Sequence, residues 1–126
     1  MAEREELSVD CRRAAQRLLD GGYFRASISR SYYAAYSAVT ARLVQNQVAF
    51  PQGWSSPRHR DLPGYIQSTL TALPEYKRKQ VKAYVRYLRI ARVDADYVPS
   101  ASLDRRAALE ALRRASSVLR ELEVES

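Results

Sequence analysis

The stretch "RYLRIARVDADY" combines side chains that suit phosphate chemistry within twelve residues. It contains three arginines, Arg86, Arg89 and Arg92, and closes on Asp94, Asp96 and Tyr97. Arginine holds phosphate through charge and paired hydrogen bonds, while tyrosine stacks on bases or hydrogen-bonds phosphate. The stretch is therefore either the edge of a phosphate site or the basic face of a surface helix at its end.

A helical wheel separates most of the basic residues here from the apolar ones. The segment from Pro74 to about Val93 places five of them on one arc: Arg78, Lys79, Lys82, Arg86 and Arg89. This pattern predicts an exposed basic face. Such a face is either an ordinary solvated surface or a track for phosphates.

Two arginines do not fit a solvated face. Arg92 falls inside the apolar half of the same helix, and Arg30 is flanked on its own helix by Tyr33 and alanines. An unpaired guanidinium against a core is costly, so each needs acceptors, for which Asp94 and Asp96 are available. The pattern predicts either a structural arginine–aspartate network or a site that keeps arginines fixed to meet phosphate.

The single histidine, His59, lies between two arginines in "PRHRD". It is either a solvent-exposed loop residue or, if the loop folds over Arg92, a proton carrier beside a phosphate-binding arginine. One histidine and one cysteine, Cys11, cannot form a zinc site without borrowed carboxylates. We find no glycine-rich phosphate loop and no Ser-His-Asp spacing, so we predict no metal or cofactor.

Composition narrows the class of protein and its partners. The 126 residues carry 21 basic and 14 acidic side chains, a formal charge of +7 that suits RNA or DNA. A lone cysteine allows no internal disulfide and fits a reducing compartment. The opening "MAEREELSVD" lacks the apolar core of a signal peptide, and no window approaches the ~20 apolar residues of a membrane span. We expect a cytoplasmic protein with no membrane role.

The positions of glycine and proline separate five predicted helices, and no segment shows the alternating pattern of a strand. The first ends at Gly21 and Gly22, and Ser102 is the expected N-cap of the last. The other expected bounds are about 23–47, 64–73 and 74–93, with a long loop over 48–62. Both sides of the second helix are apolar or small, so we expect it to be central. These features predict an all-α, up-and-down bundle forming one domain over residues 1–126.

Three segments together resemble the HEPN domains of prokaryotes: "LLDGGYFRASISRSYYAAYSAV", "RHRDL" and "YLRIARVDADYV". The similar branch consists of small stand-alone proteins with "SRAYYA" and "R-x-x-ADY" type motifs, and the likeness covers about 9–122. It implies a helical bundle, commonly a homodimer, often encoded beside a nucleotidyltransferase-type antitoxin. Many such proteins are metal-independent ribonucleases with an Arg-x4–6-His motif at a cleft between protomers.

That motif is only partly present in this chain. Arg92 matches its arginine, but Tyr97 stands where histidine is expected. Tyrosine, with an ordinary pKa near ~10, is a poor base at neutral pH. His59 has Gln, Gly and Trp at positions 52–54, where the arginine of the motif would lie.

We therefore expect a HEPN-like protein that binds RNA or a nucleotide, as part of a toxin–antitoxin or defence module. In this hypothesis Arg30 and Arg92 hold phosphate, and two aspartates orient them. The candidate binding residues are Arg30, Tyr33, Arg78, Lys82, Arg86, Arg89, Arg92, Asp94, Asp96 and Tyr97. One alternative is an active metal-independent endoribonuclease that uses His59 or Tyr97. Another is a non-catalytic adaptor in which tyrosines and arginines bind a protein partner.

Overall fold

In the computed structural model, which describes residues 2–125, the chain is helical throughout its regular parts. The five α-helices are α1 (Ala2–Asp20), α2 (Phe24–Gln45), α3 (Leu62–Thr69), α4 (Glu75–Tyr97) and α5 (Arg105–Glu121). The long loop between α2 and α3 contains two short 3-10 turns, Pro51–Gly53 and His59–Asp61. No strand occurs within the described residues. The predicted all-α bundle is confirmed.

Helix α2 is the central element and packs against all four other α-helices. Small residues make this possible, because they let neighbouring backbones approach on both sides. Two buried serines join α2 to α1: Ser8 Oγ donates to the carbonyl of Ala34 at 2.6 Å, and Ser27 Oγ donates to that of Ala15 at 2.7 Å. The prediction of a central second helix is confirmed.

The turn between α1 and α2 depends on Gly22. Its φ of 84° lies in the left-handed region that favours glycine. The N–H of Tyr23 donates to the carbonyl of Leu18 at 2.8 Å and that of Gly22 to the carbonyl of Leu19 at 3.1 Å. These bonds satisfy carbonyls at the end of α1, as glycine-terminated helices commonly do. The chain then reverses directly into α2.

Helix α4 continues four residues beyond its predicted end, so Asp94, Asp96 and Tyr97 belong to its last turn. The prediction ended the helix at about Val93. Arg25 of α2 supplies donors that the local sequence does not reveal. Its guanidinium donates at 2.6–3.2 Å to the carbonyls of Asp94, Ala95, Val98, Pro99 and Ala101. A tertiary contact thus stabilises the end of α4.

Other predictions need correction. The N-cap of α5 is Asp104, whose carboxylate accepts from the N–H of Ala107 at 3.0 Å, and not Ser102. Helix α3 begins at Leu62, two residues earlier than expected. Leu7 and Tyr76 fall on the apolar sides of their helices by periodicity, but both are exposed. Across the described range, none of the helices combines the length and apolar character required to cross a bilayer.

Candidate functional site

Three tyrosines of α2, Tyr32, Tyr33 and Tyr36, form what we call the tyrosine face. The ring centroids of Tyr32 and Tyr33 are 5.3 Å apart in an edge-to-face arrangement, and those of Tyr32 and Tyr36 are 6.0 Å apart. Tyr32 is fully buried, and the other two are partly exposed. The tyrosine face lines one side of α2 toward the long loop and α4.

The long loop brings His59 onto the tyrosine face. The Nδ1 atom of His59 and the hydroxyl of Tyr32 are hydrogen-bonded at 2.6 Å, and the imidazole centroid is 4.7 Å from that of Tyr36. Tyr36 fixes the same loop by donating its hydroxyl to the carbonyl of the buried Pro57 at 2.5 Å. His59 is therefore half-buried and held in place, which contradicts its interpretation as a free loop residue.

Arg92 also lies against the tyrosine face and is only 9% exposed. Its guanidinium carbon lies 5.3 Å from the ring centroid of Tyr32 and 5.6 Å from that of Tyr33. The same carbon lies 5.9 Å from the ring centroid of Tyr97, which is within the range of a cation–π contact. The prediction that Arg92 lies against the core is confirmed.

The polar contacts of Arg92 are long. Its Nη1 lies 3.5 Å from the Tyr33 hydroxyl and 3.5 Å from Asp96 Oδ2, whereas a strong arginine–carboxylate bond measures about 2.7–2.9 Å. Its Nε is buried without a hydrogen-bond partner among the described residues. Arg92 is therefore a buried charge with incomplete compensation.

Asp96 is the aspartate that pairs with Arg92, since residues four apart on a helix share a face. Its Oδ2 also accepts from Ser29 Oγ at 3.4 Å. The contact of Asp94 with α2 is through its backbone carbonyl, which accepts from Arg25 at 3.2 Å. The expectation that both aspartates orient arginines is supported for Asp96 alone.

Arg30 contacts the same tyrosine ring as Arg92. Its guanidinium carbon lies 4.9 Å from the ring centroid of Tyr33. Arg30 also neighbours the buried Cys11, whose thiol pKa is raised by burial and partly lowered again by the charge of Arg30. The structure thus brings Arg30, Tyr33 and Arg92 together, as the sequence suggested.

Burial favours the neutral forms of His59 and Tyr32. Burial lowers the pKa of His59, and the positive charges of Arg92 and Arg89 lower it further, so the imidazole is neutral at pH 7. Burial raises the pKa of Tyr32, an effect that Arg92 partly opposes, so its hydroxyl stays protonated. The hydrogen bond to Tyr32 engages Nδ1 of His59. The other ring nitrogen, Nε2, takes no part in this bond and is the atom available to exchange a proton with a ligand.

The basic face of α4 is only partly as predicted. Arg86 is exposed, and Lys82 and Arg89 are half-exposed. Arg78 is an exception, because its Nη1 donates to the carbonyl of Gln67 at 3.1 Å and anchors α4 to α3. Tyr97 is 69% exposed, with its ring beside Arg92. The accessible basic surface therefore runs along α4 from Lys82 toward Arg92.

Tyr32, Tyr36 and Arg25 were not among the predicted site residues. The four-residue spacing of Tyr32 and Tyr36 in "SYYAAY" places them on one helix face and was the available signal. No local signal identified Arg25, whose partners lie about seventy residues away. Among residues 2–125, no three His, Cys, Asp or Glu side chains converge as a metal site would require.

Comparison with known proteins gives one match. No curated protein and no solved structure is significantly similar to this chain. A family model for the HEPN domain matches residues 8–125, nearly the whole chain. The match agrees with the all-helical bundle and with the motifs around Arg30 and Arg92. The chain belongs to the HEPN domain family.

Proposed function

We propose that this protein binds RNA by holding a phosphate at the Arg92 site, formed by Arg92, Arg89, His59 and the tyrosine face. The observation that carries the proposal is the incompletely paired Arg92. A structural arginine at 9% exposure would be expected to make short carboxylate bonds, yet its ion pair measures 3.5 Å. A phosphate oxygen would complete that pairing.

The surroundings of Arg92 support the same proposal. HEPN domains are typically RNA-binding or ribonuclease-like. Lys82 and Arg89 extend positive charge outward from the site along α4, and each phosphate contact of such residues makes RNA binding more sensitive to salt. The exposed ring of Tyr97 is available to stack on a base.

A second candidate function, metal-independent endoribonuclease activity, is favoured by the position of His59. Arginine and histidine, the two residue types that such chemistry requires, both lie against the ring of Tyr32. They come from α4 and the long loop instead of one continuous motif. In this mechanism, Nδ1–H of neutral His59 donates to the Tyr32 hydroxyl oxygen, and Nε2 accepts the proton of a ribose 2′-hydroxyl. The 2′ oxygen then attacks phosphorus, the bond to the 5′ oxygen breaks, and the imidazolium returns the proton to that leaving oxygen. Arg92 stabilises the charge that develops on the phosphate.

One experiment separates these functions from each other and from the adaptor hypothesis. Purified protein is incubated with total RNA in EDTA, beside the His59→Ala and Arg92→Ala variants and an Arg17→Ala control. Arg17 is an exposed arginine of α1, so the control removes the same charge elsewhere. Cleavage lost only in the two site variants supports the endoribonuclease. Binding without cleavage supports the RNA-binding function, and no RNA binding at ~50 mM salt contradicts both.

We also propose that two copies pair through the outer face of α4. Ile90 is 66% exposed and lies in an apolar groove lined also by Arg86, Arg89, Val93 and Asp94. Ile90 is midway between Arg86 and Asp94 in sequence. If two antiparallel α4 helices cross at Ile90, Arg86 of one copy faces Asp94 of the other, and the two-fold axis repeats the pair.

Light scattering combined with gel filtration tests this association. The wild-type protein should elute as a dimer and the Ile90→Glu variant as a monomer, because the new carboxylate would be buried at the crossing point. Leu7→Glu is the matched control, since Leu7 is an exposed apolar residue of α1. A wild-type monomer, or a dimeric Ile90→Glu protein, contradicts the proposed interface.

A toxin–antitoxin or defence setting is proposed from the family resemblance alone. Expression of the protein should then arrest growth, and co-expression of a nucleotidyltransferase-type neighbour should restore it. Growth unaffected by expression would contradict the toxin role.

A further inference from the structure

The outer face of α5 carries a row of arginines that the proposed function does not use. Arg106, Arg113 and Arg120 are all exposed. They are seven residues apart, so successive members are about 10.5 Å apart along the axis and the whole row lies within about 40° of the helix circumference. The row therefore forms one straight line of positive charge along the helix.

The charge of this row is not neutralised within the described residues. Glu110 is the one acidic residue of the sequence between Arg106 and Arg120. It accepts from Nε of Arg114 at 2.8 Å, and the guanidinium of Arg114 stacks on Tyr87 at 3.7 Å. No ion pair is formed by the three arginines of the row within residues 2–125.

A polar groove adjoins the row. It has a volume of about 440 Å³, and Arg113 and Arg120 line it together with Ser116, Ser117 and Gln16 of α1. Arginine and serine side chains are common donors to phosphate oxygens. Leu109, Leu112 and Tyr84 also line the groove but are partly or fully buried, and the carboxylate of Glu110 is paired with Arg114. The exposed lining residues are Arg113 and Arg120, so the groove suits a polyanion better than an apolar partner.

This surface is separate from the Arg92 site. Helix α5 packs on the side of α4 that carries Tyr84 and Tyr87, where Arg114 contacts both rings. Arg92 lies on a different side of α4, toward α2 and the long loop. A ligand on the α5 row therefore does not need to occupy the Arg92 site.

We propose that the α5 row is a second contact surface for the RNA backbone. Consecutive phosphates of a nucleic-acid strand lie closer together than the roughly 10.5 Å between successive arginines, so each arginine of the row would contact a different phosphate. The identity of the ligand as RNA rests on the proposed function, whereas the geometry of the row does not. An RNA that reaches both surfaces binds more tightly than one confined to either, because the second contact becomes intramolecular.

The test measures RNA affinity against salt concentration for matched charge variants. The probe is a fluorescent single-stranded RNA of about 30 nucleotides, followed by anisotropy. Arg113→Gln with Arg120→Gln is compared with Arg13→Gln and Arg17→Gln, two exposed arginines of α1. The α5 double variant should flatten the slope of log K against log salt by about 1.4, since each lost single-strand phosphate contact removes about 0.7.

The outcomes distinguish this inference from the proposed function. Equal slopes and affinities for the two double variants overturn the α5 surface. If the α5 variant weakens binding while Arg92→Met does not, the α5 surface stands and the Arg92 site is refuted. A wild-type protein that binds no RNA at ~50 mM salt overturns both. The four arginines replaced in the two double variants are exposed, so both double variants should keep the wild-type helical circular-dichroism spectrum.

Discussion

Replacing Arg92 with methionine should weaken RNA binding much more than it weakens the fold. The ion pair of Arg92 is 3.5 Å long, and its partner Asp96 has a side chain 30% exposed, so the pair is worth about 0–1 kcal/mol. Cation–π contacts with the tyrosines add about 0.5–2 kcal/mol. The cost of burying the guanidinium offsets these gains. Methionine keeps a long apolar stem, so the free energy of unfolding should fall by at most about 1–2 kcal/mol.

The expected loss of RNA affinity is larger. A charge-assisted hydrogen bond to phosphate is worth about 1.5–3 kcal/mol. At about 1.4 kcal/mol per factor of ten, the dissociation constant should rise roughly 10- to 150-fold. Urea denaturation followed by circular dichroism measures stability, and anisotropy of labelled RNA at low salt measures affinity. Arg17→Met is the control for the loss of one exposed positive charge.

The reasoning is refuted by the opposite pattern. Removing one partner of a tightly coupled buried ion pair costs about 3–5 kcal/mol. If Arg92→Met loses that much stability while the folded variant binds RNA as the wild type does, Arg92 belongs to a structural network and not to a phosphate site.

Three further predictions follow from named contacts. The pKa of His59 in the folded state lies below its ordinary value of 6.5. At pH values between that lowered pKa and 6.5, the folded state binds fewer protons than the unfolded state. The free energy of unfolding should therefore fall as pH drops through 6.5, by up to about 1.4 kcal/mol per pH unit. Urea titrations at several pH values measure this dependence, and an equal slope of unfolding free energy against pH in His59→Asn would contradict it. Arg25→Ala should destabilise the protein by about 2–3 kcal/mol and speed amide exchange over 94–101, because charge-assisted bonds to carbonyls are lost; unchanged exchange would disprove the capping role. Asp104→Ala should lower the free energy of unfolding by about 1 kcal/mol, because the N-cap of α5 is lost, whereas Ser102→Ala should not. Equal effects of the two substitutions in thermal unfolding would reject Asp104 as the cap.

The sequence by itself determined the helices and the orientation of their faces. Side-chain direction repeats every 3.6 residues in a helix, so periodicity alone placed Arg92 among apolar neighbours and Arg30 beside Tyr33. Gly22 marked the end of α1, because its left-handed conformation is a local backbone property. The small residues on both sides of the second helix were sufficient to predict its central position.

Only the tertiary structure decided which distant groups meet. His59 lies thirty-three positions before Arg92 in the sequence, and its place on the tyrosine face depends on how the loop packs through Pro57 and Tyr36. The end of α4 depends on Arg25, which satisfies carbonyls about seventy residues away. Helical periodicity is set by the local backbone, but contacts between separate segments depend on packing and on which buried polar groups find partners. For that reason the sequence identified Arg92, whereas the position of His59 beside it required the fold.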